Sequence, residues 1–81
     1  MSKNTEQDVL SVIEKSLEVP SGTIDLDTVA ESMEEWDSIG HLGILTALDS
    51  FFEGGIANVS EIGEATSIPK ILDALRKHSL I

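Results

Sequence analysis

EWDSIGHLGILTALDSFFEGG, residues 35–55, decides the fold. Leu42, Leu45, Leu48 and Phe52 recur every three or four residues, the period of one helix face, until Gly54-Gly55 breaks the run. The pattern predicts a helix from Ser38 to Glu53. Gly40 and Gly43 lie inside it, where each costs about 1 kcal/mol relative to alanine. Packing against other elements must therefore support this helix more than propensity does. The missing side chains also leave its backbone open to close approach. Acidic substitutions at the two glycines are expected not to weaken the helix, because Asp and Glu both have higher helix propensity than Gly.

Towards the N-terminus, Thr5-Glu6-Gln7-Asp8 places a capping hydroxyl ahead of an acidic first turn, and Val9, Leu10, Ile13 and Leu17 follow on one face. These residues predict a helix over Thr5 to Leu17 that ends near Pro20 and Gly22. From Glu18 to Trp36 the apolar residues Val19, Ile24, Leu26, Val29 and Met33 are sparse among turn formers and acids. So long a connection in a small domain predicts an ordered, functional loop or one with a short helical turn, pinned by its apolar residues.

Towards the C-terminus, Asn58 to Ile62 suggests a short helix stopped around Gly63. Ser67 then caps a clearer one, with Ile68, Ile71, Leu72 and Leu75 at i, i+3, i+4 and i+7. Pro69 sits in its first turn, and Arg76, Lys77 and His78 complement its C-terminal dipole. No segment alternates with period two, and there is no internal repeat. The expected fold is all-α: a small antiparallel four-helix bundle, three main helices and one short, with a long loop between helices 1 and 2. The 81 residues form one domain over 1–81.

Fifteen acidic residues against five basic ones give a net charge of −10, which repels phosphate backbones and anionic lipid. Nucleic acid and membrane are therefore not the expected partners. A protein with a basic docking patch is a better one, and a monomer is expected. With no cysteine, thiolate metal sites and cysteine nucleophiles are excluded, and any thiol must come from a cofactor. The first six residues carry no apolar run and no stretch approaches the ~18 residues of a membrane span, so the expected location is the cytoplasm.

Chemistry concentrates at Glu35-Trp36-Asp37-Ser38-Ile39-Gly40-His41-Leu42. Ser38 stands at a helix start, where unpaired amides and the positive end of the dipole favour an anion such as a phosphodiester. Either Asp37 or Ser38 could instead simply cap the helix. Ser38 and His41, three residues apart, share a helix face. A Ser-His hydrolase is nonetheless disfavoured, because the strand-turn-helix context and the first glycine of G-x-S-x-G are missing. Asp25-Leu26-Asp27 opens like a calcium loop, but Val29 and Ala30 stand where an oxygen ligand and a glycine are needed. Glu31, Glu34, Glu35 and Asp37 read as a solvated acidic loop, and no metal site is assigned.

Asp37-Ser38-Ile39-Gly40 resembles the D-S-L/I motif of acyl and peptidyl carrier proteins. The resemblance covers nearly the whole chain: length, acidity, a capped first helix, the long loop before the motif, and the run Leu45 to Phe52. It implies that a phosphopantetheinyl transferase attaches phosphopantetheine, taken from coenzyme A, to Ser38. The chain would then serve other enzymes, an acyl or aminoacyl ligase or transferase and a ketosynthase, and catalyse nothing itself. It implies recognition roles for Asp37, for Ile39 as a docking contact whose alternative is core burial, and for Asp49. Trp36 and His41 resemble the W-D-S-x-x-H-L form of some specialised stand-alone carriers. Trp36 also reads as a packing anchor and His41 as a surface or docking residue. Gly40 and Gly43 stand where fatty-acid carriers often have acids, which points away from general fatty-acid synthesis. Two other readings stay open: an aminoacyl carrier loaded by an adenylating ligase, and a cofactor-free acidic adaptor.

Overall fold

The computed structural model describes residues 6–81. Helix α1 spans Glu6–Leu17, α2 Ser38–Phe51 and α3 Ile68–Lys77, with 3₁₀ segments at Ala30–Ser32, Gly55–Asn58 and Ser60–Glu64. The described residues contain no strand. A single isolated antiparallel bridge joins Val29 to Ser67. The expected cap at Thr5 lies outside the described residues. The radius of gyration is 11.4 Å, close to the ~11.7 Å of a compact chain this long.

The periodicities of α1 and α3 translate directly into burial. Val9, Leu10, Ile13 and Leu17 are all buried, as are Ile68, Ile71, Leu72 and Leu75. Ser67 caps α3 by accepting from the Lys70 amide at 3.3 Å. α1 packs on α2, α2 touches the 55–58 and 60–64 segments, and α3 packs on 60–64.

The expected short helix at 58–62 is instead two 3₁₀ segments. Ile56, Val59, Ile62 and Ala65 are all buried. A strict spacing of three matches the 3.0 residues per turn of a 3₁₀ helix and would drift around an α-helix. The glycines at 54, 55 and 63 also leave too short a run to nucleate an α-helix.

α1 ends at Leu17 as expected, although neither Pro20 nor Gly22 makes the closure. α1 closes with Glu18 in the left-handed region (φ 60°) while the Val19 amide donates to the Glu14 carbonyl at 3.1 Å. The same closure follows α2 at Glu53 (φ 55°) and α3 at Ser79 (φ 61°), with Gly54 donating to Asp49 and Leu80 to Leu75. This is the Schellman arrangement, which satisfies carbonyls at the helix end. Here a non-glycine residue takes the left-handed position each time. Pro20 and Gly22 therefore lie beyond the end of α1, and α2 stops two residues before Glu53.

The long loop is ordered by three attachments. Glu14, only 6% exposed, turns its Oε2 to accept from the amides of Gly22 (2.8 Å) and Ile24 (3.0 Å). Ala30 N–H donates to the Thr66 carbonyl at 2.8 Å and Ile68 N–H to the Thr28 carbonyl at 2.9 Å, tying the loop to the start of α3. Trp36, 4% exposed, anchors its far end in the core. Of the loop's apolar residues Ile24 is buried and Val19 and Met33 pack partly, whereas Leu26 and Val29 stay exposed. Asp25 closes a local turn: its Oδ1 accepts from the Asp27 amide and the Thr28 hydroxyl. These bonds, the Asp27 amide first, hold its carboxyl below the ordinary aspartate value.

Candidate functional site

Asp37, not Ser38, is the N-cap of α2. Its backbone is extended, and its Oδ1 accepts from the Gly40 amide at 2.8 Å. Ser38 is the first helical residue and is exposed. Its hydroxyl has no hydrogen-bond partner among the described residues. The capping requirement is met by the neighbouring carboxylate, so the hydroxyl is left open to solvent at the end of the helix where an anion is stabilised.

Beside it lies an open groove of about 540 Å³, within the range of small-ligand sites. Trp36, Asp37, Ser38 and His41 form one side, and Leu42 and Leu45 continue it along α2. Ala30, Gly63 and Thr66 close the other. Four of the six residues singled out in sequence thus meet at one place. Ile39 does not line the groove; it points outward and is 79% exposed, which removes core burial as its role. Asp49 lies eleven residues after Ser38 on the same helix, about 16 Å along its axis at 1.5 Å per residue, and is not part of the groove.

Leu42 was expected on the buried face and is 63% exposed. The buried residues of α2 are Ile44 and Leu48, an i, i+4 pair. Leu42 sits two residues from Ile44, about 200° around the helix, and so faces the groove. The Ile44–Leu48 line was the signal that could have placed it correctly.

His41 is a structural link as well as a surface group. The Trp36 indole Nε1–H donates to His41 Nδ1 at 2.9 Å, and His41 Nε2 lies 2.9 Å from the Ile62 carbonyl oxygen. An indole nitrogen can only donate and a carbonyl can only accept. The ring is consequently the neutral Nε2–H tautomer, accepting from Trp36 and donating to Ile62. The Trp36 and His41 rings are nearly coplanar, 9° apart, with centroids at 6.2 Å, so they meet edge to edge through this bond. Both imidazole nitrogens are committed, and neither can serve as a base for Ser38.

Gly40 corrects an expectation. A Cβ there would collide with the main-chain carbonyl oxygen of Glu35 and lie 3.0 Å from Leu17 Cδ2. The chain entering α2 passes its first turn so closely here that only glycine fits. Propensity alone therefore gives the wrong answer for Gly40→Asp. At Gly43 a Cβ would lie 3.8 Å from the Ser16 carbonyl oxygen, an ordinary contact, so substitution is tolerated there.

A second cleft, about 340 Å³, separates α3 from the 60–64 segment and is lined by Glu61, Glu64, Lys70, Asp73 and Lys77. Its charges pair locally: Glu61 meets Lys77 at 3.3 Å and His78 at 3.1 Å. Glu61's own backbone amide, followed by Lys77 and His78, holds its carboxyl below the usual glutamate value. Among the described residues no helix is long and apolar enough to cross a membrane. Comparison of the chain with protein-family models, curated proteins and solved structures finds no match.

Proposed function

We propose that the chain is a carrier protein that holds acyl or aminoacyl groups on a phosphopantetheine arm attached to Ser38. One observation carries this reading: the Ser38 hydroxyl is exposed and unbonded at the start of α2 because Asp37 supplies the cap, and it opens onto an apolar groove.

The surroundings fit such a group. A phosphodiester on Ser38 Oγ would meet the positive end of α2. A slender arm could follow the groove past His41, Leu42 and Thr66. When attached, the arm supplies a thiol on which a carboxylic acid is held in activated form; the protein supplies position and recognition. In the attachment step the Ser38 Oγ–P bond forms as a pyrophosphate P–O bond of coenzyme A breaks. The adenine nucleotide leaves, and the hydroxyl proton passes to the transferase. Asp37 is a cap and, beside an incoming phosphate, a repulsive neighbour, so its further value is as a mark read by that transferase. Ile39, exposed next to the attachment point, is the natural apolar contact for partner enzymes: the transferase, a loading ligase or transferase, and a ketosynthase.

The finer architecture belongs to the same proposal: an antiparallel four-helix bundle, in which the 3₁₀ segments 55–64 stand where the short helix belongs. So does the assignment of the whole chain as one non-catalytic carrier domain working in the cytoplasm as a monomer. Incubation with coenzyme A and a broad-specificity phosphopantetheinyl transferase should add one arm by intact mass, mapped to Ser38. Ser38→Ala should abolish the gain while changing stability by no more than about 0.5 kcal/mol, because Asp37 keeps the cap. Absence of any mass gain would instead favour the cofactor-free adaptor.

A further inference from the structure

We propose that His41 is a positioning residue whose protonation state controls how firmly the Ser38 end of α2 is held. This rests on the reading of Ser38 as the attachment site, but the device itself is defined by geometry. Trp36 lies in the loop, His41 on α2 and Ile62 in the 60–64 segment, and two hydrogen bonds of 2.9 Å join all three elements through one imidazole. Trp36 immediately precedes Asp37, the residue that caps α2 through Gly40. The carbonyl of Glu35, one residue earlier, is the group packed against Gly40. Any movement of the indole is therefore transmitted through two residues of backbone to the cap and to Ser38.

The link works only with a neutral ring. Protonated imidazole has two donors and no acceptor. An Nδ1–H would face the Trp36 Nε1–H, and one of the two would lose its partner. Trp36 is 4% exposed, so its displaced indole N–H carries a desolvation penalty unless the side chain moves. Adding a proton to the ring therefore breaks this contact.

Among the described residues no carboxylate is bonded to His41 to hold a positive ring in place. Asp37 accepts from Gly40, and Glu61 pairs with Lys77 and His78. Glu64 lines the cleft towards α3, and Glu31 borders a separate groove with Lys70. Glu34 and Glu35 are exposed. None of these makes a hydrogen bond or ion pair with His41. α2 offers no acid in its first turn.

The intact protein tests this with Trp36 as an internal reporter, since it is the single tryptophan. At about pH 8, two-bond nitrogen–proton NMR correlations should show His41 as the Nε2–H tautomer, and the Trp36 indole proton should exchange slowly. On acidification the protection of that proton, taken relative to the intrinsic exchange rate at each pH, should fall at least about fivefold, the loss of one hydrogen bond, and Trp36 emission should change. His41→Gln should remove the acid response, whereas His78→Gln, at the other histidine, should keep it. Trp36→Phe, which deletes the donor, should let His41 relax to a mixture of tautomers.

The functional arm is the rate of Ser38 modification by one transferase. The ratio of wild type to His41→Gln should fall at least about twofold as pH is lowered through the range in which the NMR spectra show His41 taking up its second proton. A neutral Nδ1–H tautomer, an acid response retained in His41→Gln, or one lost in His78→Gln would overturn the proposal; so would a rate ratio that does not move with pH. A protein never modified at Ser38 would sink the carrier reading, while the NMR measurements would still decide the role of His41.

Discussion

Alanine at Gly40 and at Gly43 should move stability in opposite directions, although both replace glycine within the same helix. Propensity favours each substitution by about 1 kcal/mol. At Gly43 nothing opposes it, because the new Cβ would meet the Ser16 carbonyl oxygen at 3.8 Å, so a gain of about 0.5–1 kcal/mol is expected. At Gly40 the methyl would strike the Glu35 carbonyl and crowd Leu17 Cδ2 at 3.0 Å. A main-chain carbonyl cannot escape by changing rotamer, so the loop must shift, at an overpacking cost of about 1–3 kcal/mol. Set against the propensity gain of about 1 kcal/mol, the expected net loss reaches about 2 kcal/mol, which separates the two variants by up to about 3 kcal/mol. Unfolding entropy near 2.1 cal/mol/K per residue makes 1 kcal/mol worth about 6 °C in a chain of this size, so their Tm values should differ by up to about 18 °C. Thermal circular dichroism and urea titration with an unchanged m-value would measure this. If both alanines raise Tm by similar amounts, the close crossing of residues 35 and 40 is not present in solution.

Removing the buried carboxylate with Glu14→Ala deprives the amides of Gly22 and Ile24 of their acceptor, and should cost about 3 kcal/mol. Glu14→Gln, whose carbonyl oxygen can take the place of Oε2 and accept from both amides, should lose much less than the alanine; a loss below about 1 kcal/mol for the alanine in urea unfolding would show the loop held by its other attachments. Glu61 has its folded pKa lowered, first by its own backbone amide and then by Lys77 and His78. Its contribution is therefore present above the ordinary value of 4.5 and fades as pH falls through the folded value. Glu61→Gln should accordingly melt below wild type at neutral pH and converge with it in acid. A gap that persists in acid would mean that the ion cluster is not its source.

The elements whose stabilising face is written in consecutive turns were legible in the sequence by itself. Val9 to Leu17 and Ile68 to Leu75 repeat at helical spacing and are buried, because a helix that presents an apolar stripe has one way to hide it. The exposed helix start at Ser38 was legible too, as was the anchoring role of Trp36. Tertiary structure decided matters that turn on where atoms outside a helix's own repeat come to lie. It chose Asp37 over Ser38 as the cap, and it turned Leu42 outward because Ile44 and Leu48 take the core side. It recruited Glu14 to hold a loop eight to ten residues away. It made a glycine obligatory at residue 40 because the Glu35 carbonyl crosses there, and it fixed the tautomer of His41 through a carbonyl twenty-one residues on. Local periodicity carries information about which face is apolar. Which donor meets which acceptor, and which atom occupies a shared volume, depends on the angle at which the loop returns across α2, and no local pattern encodes that angle.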